Sequence, residues 1–281
     1  MVERISDLID LEAYPLNDAA GDGYRALLSE TRAALDRDGC AVLKSFVRPE
    51  AIASLTAEAE IAAPHAHRSY NKTNVYFTQD DPSLPPSHPA RQFYPRSNAF
   101  IPADNFRDDS LLRRIYEWPA LTPFIQAALR EESFFPYADP LADVIVNMAD
   151  EGAGFPWHFD TNNYTVTLAI QNAHAGGAFE YAPNLRRDGE NFEGVAAVLA
   201  ETSDAVRVLH LEPGDLQIFK GRYSLHRVAP LSGSRRRYVA IFSYAERPDM
   251  VGSVERTRQL YGRVLPIHEE RAGLRGDTFI D

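Results

Sequence analysis

Three residues of this chain, His158, Asp160 and His226, have the types and spacing to hold a divalent cation. In Trp157-His158-Phe159-Asp160, side chains two apart share a face if the segment is a strand. An imidazole and a carboxylate would then turn the same way. A third ligand must come from elsewhere, and His226 stands on a later strand candidate, beyond the Pro213-Gly214-Asp215 turn. Two imidazoles and one carboxylate on one side of a metal leave other positions open, the arrangement associated with non-haem iron(II) and dioxygen. The only cysteine is Cys40, so no cysteine-rich site and no intrachain disulfide can form, and nitrogen and oxygen must ligate any metal. A His-x-Asp triplet alone is common. This one opens a run of strands, precedes a second histidine and is followed by clustered arginines.

That cluster is Arg235-Arg236-Arg237. If the cosubstrate at such a site is 2-oxoglutarate, its distal carboxylate needs a cation, which a guanidinium grips with two parallel hydrogen bonds. Alternation sets Arg237 with Val239, Ile241 and Ser243, and Arg236 with Tyr238, Ala240, Phe242 and Tyr244. Both faces are largely apolar, so hydrophobicity leaves Arg236 and Arg237 both open. A basic edge that deters strand pairing would explain two of the three arginines. Of the other histidines, His65, His67, His88, His174 and His210 sit at helix ends, turns or strand flanks and read as non-ligating.

The elements that must position these groups fall into two halves. Residues 1–140 read as mainly helical, with Tyr24–Arg37 and Glu50–Ala62 as helices and Cys40–Phe46 as a strand between them. Asn71–Asp109 has no clean period and reads as an irregular, lid-like segment or a plain surface excursion. Leu111–Arg130 is helical, interrupted at Pro119 and Pro123. Residues 141–247 carry eight strand candidates: Asp143–Met148, Phe155–Asp160, Tyr164–Gln171, Ala178–Ala182, Val206–Leu211, Asp215–Phe219, Ser224–Ala229 and Arg236–Tyr244. Eight strands suit a jelly roll. A helix is expected at Asn191–Ala200, and residues 248–281 form a polar tail with a short helix at Val254–Arg263. The expectation is one domain over residues 1–281: mainly β with flanking α, a double-stranded β-helix (cupin-like) core and N-terminal helices.

The bulk numbers narrow the partners. The net charge of −11, from 29 basic and 40 acidic side chains, argues against nucleic acid and anionic membrane. The N-terminus lacks the apolar run of a signal peptide, and no stretch is long and apolar enough to span a bilayer. A cytoplasmic protein is the expectation.

His158-x-Asp160, His226 and Arg237 eleven residues later together resemble the iron(II)/2-oxoglutarate-dependent oxygenase superfamily. Asp38 to Phe46 resembles the opening strand of its phytanoyl-hydroxylase-like branch, where the arginine often stands at that interval, which favours Arg237. Phe155 to Asn162 and Arg222 to Val228 are similar to the free-amino-acid radical halogenases and their hydroxylase relatives. The resemblance spans about Asp38 to Ala245. It implies iron(II), 2-oxoglutarate and O2, with oxidative decarboxylation to succinate and carbon dioxide and attack on an unactivated C–H bond. Halogenases of that group carry Gly or Ala where this chain keeps Asp160, so hydroxylation is expected over halogenation.

Candidate substrate residues are Asn147, Thr161, Asn162, Asn163, Thr165 and Thr167, Glu180 for an ammonium, Arg96 for a carboxylate, and Tyr76 or Tyr94 as a cover. This inventory suits a free amino acid, a basic one such as lysine or ornithine being the leading example. Halogenation, desaturation or ring closure on the same iron, and a non-catalytic jelly-roll binding protein, are the other readings.

Overall fold

The structure, a computed structural model, describes residues 4–69, 71–161 and 164–271. Helix α1 (Asp22–Asp38) stops at Gly39, whose φ of 65° allows a left-handed cap in which its N–H reaches Leu35 O. Strand β1 (Cys40–Leu43) is shorter than expected, because Ser45 turns to a φ of 50° and leaves the extended conformation. Helix α2 (Pro49–Ala62) begins on a proline, whose missing N–H costs nothing in a first turn.

Strand β2 (His67–Arg68) lies just before the aperiodic segment, which itself holds β3 (Ala99–Ile101) and a two-residue pairing of Lys72–Thr73 with Tyr94–Pro95. Helices α3 (Leu111–Tyr116) and α4 (Leu121–Leu129) are separate, as Pro119 suggests, but Pro123 does not interrupt the second. It sits in the first turn of α4, where its N–H would have no helical partner.

The β-rich half follows as β4 (Val144–Ala149), β5 (Phe155–His158), β6 (Tyr164–Gln171), β7 (Phe179–Ala182), helix α5 (Phe192–Leu199), β8 (Arg207–Leu209), β9 (Leu216–Phe219), β10 (Leu225–Val228) and β11 (Arg237–Ala245). All eight strand candidates and the intervening helix are present, and Asn191 caps α5 by accepting from Gly194 N. Helices α6 (Val254–Tyr261) and α7 (Pro266–Glu270) lie in the expected polar tail. Among the described residues no helix is long and apolar enough to cross a membrane.

The strands form a double-stranded β-helix. The larger antiparallel sheet runs β1-β9-β6-β11-β4-β3-β2, and the smaller runs β8-β7-β10-β5. Val166, Leu168, Tyr238, Ala240, Phe242 and Tyr244 turn outward, into a core shared with Leu55, Leu112, Leu121 and Phe124 of the helices. The alternate residues of these strands, Thr165, Thr167, Arg237, Val239, Ile241 and Ser243, must then face the barrel interior. Helical cover on one side and barrel contents on the other explain why both faces of β11 read as apolar.

Candidate metal centre

The register of the smaller sheet sets His226 of β10 directly opposite His158 of β5. Their rings stand 4.1 Å apart between centroids. Asp160 joins them, but not as a strand residue: β5 ends at His158, and Asp160 lies in the following turn, its N–H donating to Gly221 O at 3.1 Å. Asp160 Oδ1 is 3.6 Å from His158 Nε2 and 3.4 Å from His226 Nε2. Ligand atoms from the three residues lie within 4.8 Å of one another, a separation that one cation can bridge.

Local bonds aim each ligand. His158 Nδ1 donates to Pro156 O at 2.8 Å, and His226 Nδ1 donates to Ser224 O at 2.9 Å. Each bond places the ring proton on Nδ1 and leaves the Nε2 lone pair for a metal. Thr165 Oγ1 donates to Asp160 Oδ2 at 2.6 Å, so one carboxylate oxygen is held back while the other faces the imidazoles. Gly221 is required beside it, since a Cβ there would overlap Oδ2.

Burial, reinforced by the second imidazole, pushes His158 down to about 4 and favours the neutral, ligating form. Burial alone would raise Asp160. The two imidazoles outweigh it and hold the carboxyl well below its ordinary value.

Arg237 points into the barrel and is buried, and among the described residues no acid pairs with it. Desolvation lowers its guanidinium to about 10. Arg236 turns outward and binds Asp150 at 2.9 Å and Glu60 at 3.6 Å. On β4, Asn147 faces Val239 of β11, and its Nδ2 is buried without a partner among the described residues.

A cavity of about 720 Å³ opens at the triad. Its wall includes His158, Asp160, Thr161, Thr165, Ile241 and Ser243, so Thr161 and Thr165 stand where expected. Arg96 is buried behind it, its guanidinium 4.7 Å from the Phe155 ring centre and 5.3 Å from that of Phe100. Its Nε donates to Asn98, and both terminal nitrogens lack hydrogen-bond partners among the described residues. Desolvation, with Arg256 nearby, lowers Arg96 well below the ordinary arginine value.

The other expected residues are placed away from the cavity or outside the described residues. Glu180 accepts from Arg227 Nε at 2.7 Å across the strand pair and faces away from His226, because it pairs with Arg227 rather than with the histidine. Thr167 is spent on Gln217 Oε1 at 2.8 Å. Tyr76 stacks on Phe159 in a separate apolar cluster, and Tyr94 bonds Gln92; neither borders the cavity. Asn162 and Asn163 lie outside the described residues.

Sequence reasoning missed several wall residues: Phe77, Asp139, Ile145, Phe155 and the inner face of α6. The aperiodic segment 71–79 does border the cavity, where its lack of period was the only signal. Phe155 stacks on His158 at 3.8 Å, and the strand alternation around His158 gave no reason to expect that.

The family model described as Halogenase D matches residues 24–262. No curated protein matches the chain. Among solved structures, the non-heme alpha ketoglutarate dependent epimerase SnoN from nogalamycin biosynthesis is similar at 14% identity and a TM-score of 0.55, covering 79% of this chain and 82% of that one. AviO1 from Streptomyces viridochromogenes Tue57 is 20% identical with a TM-score of 0.53, over 78% of this chain and 95% of that one. An oxidoreductase of the 2OG-Fe(II) oxygenase family from Burkholderia pseudomallei is 12% identical with a TM-score of 0.50, over 78% and 91%. These likenesses concern the fold.

Proposed function

We propose, for a chain that belongs to the Halogenase D family, a non-haem iron(II), 2-oxoglutarate-dependent hydroxylase of a small carboxylate-bearing substrate, in the first instance a free amino acid. His158, Asp160 and His226 hold the iron in this reading. The observation that carries it is the pairing of that triad with a buried guanidinium, Arg237, which lacks an acid among the described residues. A buried, unpaired cation is costly, and an anionic cosubstrate relieves that cost. Arg237 takes the distal carboxylate of 2-oxoglutarate, and the unpartnered Asn147 amide beside Val239 becomes a cosubstrate contact rather than a substrate one.

Iron(II) with 2-oxoglutarate and O2 supplies the oxidation: 2-oxoglutarate loses carbon dioxide and gains one oxygen atom as succinate, and the substrate C–H becomes C–OH with the other. The protein's part is positioning. Arg96, with two free terminal nitrogens behind the cavity wall, is the candidate for the substrate carboxylate. Asp160 fills one metal position and is kept there by Thr165, so a halide has no place to bind and hydroxyl transfer is favoured.

Anaerobic titration of the iron(II) protein with 2-oxoglutarate tests the reading through the visible charge-transfer band of the chelate. The band is expected in the wild type, lost in Asp160→Ala and displaced to higher 2-oxoglutarate concentration in Arg237→Ala. A wild type that binds neither iron nor 2-oxoglutarate refutes it. The family description gives halogenation its own standing; a chlorine isotope pattern in the product, rather than one added oxygen, would establish that outcome.

A further inference from the structure

Resting on the oxygenase reading, we propose that the substrate presents a neutral hydrocarbon chain to the metal, and that the pocket rejects the basic side chains of lysine and ornithine. The interior row of β11 runs Arg237, Val239, Ile241, Ser243, from the cosubstrate cation toward the substrate cavity. Ile241 stands opposite Ile145 of β4, and both border the cavity. Phe155 lies against the His158 imidazole, with the Phe100 ring edge-on to it at 6.1 Å. Phe155 and Phe77 thus border His158, and Phe100, Ile145 and Ile241 extend this apolar wall, while the hydroxyl of Thr165 beside the triad is already given to Asp160.

A side-chain ammonium brought to that wall would need an acid. Among the described residues the cavity has four, and none is both deep and available. Asp160 belongs to the triad and already accepts from Thr165. Asp139 is buried and accepts from Leu141 N at 2.8 Å, Gly252 N at 2.9 Å and His268 Nε2 at 3.0 Å. Glu255 is exposed and takes a bond from Gln79, and Glu246 is half-exposed just past the end of β11. Glu180, the acid expected to meet an ammonium, is held by Arg227 outside the cavity. Burying a charged ammonium without a partner is strongly unfavourable, whereas a methyl or methylene in the same place gains from leaving water. The selected class is an aliphatic or aromatic carboxylic acid, such as an amino acid with an uncharged side chain.

Norleucine and lysine form the decisive pair, because they differ only in a terminal methyl against an ammonium-bearing carbon. With iron(II), 2-oxoglutarate and O2, succinate formation coupled to one added oxygen should favour norleucine by about a hundredfold in kcat/KM, the scale set by desolvating an unpaired charge. Ile241→Asp should narrow that ratio by about tenfold or more by giving the ammonium a partner. If that variant does not fold, the wild-type ratio alone decides. Equal or faster turnover of lysine, or turnover of neither amino acid, with the 2-oxoglutarate chelate band intact, overturns the inference and leaves the oxygenase reading standing. Absence of the chelate band overturns the reading beneath it.

Discussion

Replacing Thr165 with valine tests whether the metal carboxylate is held by one hydroxyl. Valine keeps the branched shape and volume of threonine but removes the donor that meets Asp160 Oδ2 at 2.6 Å. A hydrogen bond to a charged group contributes about 1.5–3 kcal/mol. Asp160 keeps only 19% of its side-chain exposure, so water replaces little of the lost bond. Without it the carboxylate is free to rotate its second oxygen toward the metal or away from it. Outer partners of metal ligands typically account for about ten- to hundredfold in affinity, which agrees with that energy. Calorimetric titration with cobalt(II) should show this loss in Thr165→Val and near-wild-type affinity in Thr165→Ser, which keeps the hydroxyl. Metal-free Thr165→Val should still unfold cooperatively, with a Tm lowered by no more than about 10 °C for the one lost bond, and Thr165→Ser should stay closer to wild type, separating ligand orientation from general damage. Unchanged cobalt(II) affinity in Thr165→Val would refute the assigned role, as would an equal loss in the serine variant.

Arg237→Ala should raise the KM for 2-oxoglutarate by at least about tenfold, whereas Arg236→Ala, which removes an exposed pair with Asp150, should change it less than about twofold. Steady-state succinate formation measures both, and a larger effect at Arg236 would reverse the assignment. Glu180→Gln should leave substrate selectivity unchanged and cost at most about 1 kcal/mol of stability in urea unfolding, since it removes only a partly exposed cross-strand pair with Arg227. A changed preference among amino acids would show that this acid reaches the cavity after all. Burial pushes the Cys40 thiol from 9.0 up to about 11, so the folded state favours the protonated form. The linked stability is fully present below pH 9.0 and is lost as pH rises through about 11. Urea midpoints should fall over that window more steeply in the wild type than in Cys40→Ala, and parallel curves would contradict it.

The chemistry was more legible in the sequence than the geometry that serves it. His158-x-Asp160 is a local motif and could be read directly, but strand alternation was only half of what brings its two side chains together. The strand ends at His158, and the bond from Asp160 N to Gly221 O turns the carboxylate back. His226 could be nominated from its strand, yet nothing local fixes the pairing that sets it against His158, because register is a property of two strands together. Arg236 and Arg237 were indistinguishable for a related reason: helices cover the outer face of β11, so both faces are apolar and hydrophobic period carries no direction. The partner of Glu180 was not legible either, because its cross-strand neighbour Arg227 is fixed only by the register of two strands. The segment 71–109 lacked a period because its strands are two or three residues long, too short to show one.

The position of β5 has a mechanical consequence. It is the outermost strand of the smaller sheet, hydrogen-bonded only to β10, and its pairing there is irregular between His226 and Val228. Yet β5 and the turn after it carry two of the three proposed ligands, and the third lies on the neighbour. An ion bound by all three would rivet the margin of the sheet where a further strand is missing, so metal occupancy and the seating of this border are one equilibrium viewed from two sides. Amide hydrogen exchange along Phe155–His158 should slow on cobalt(II) addition while that of the central strand β11 stays unchanged, and equal protection in both states would dissolve the link.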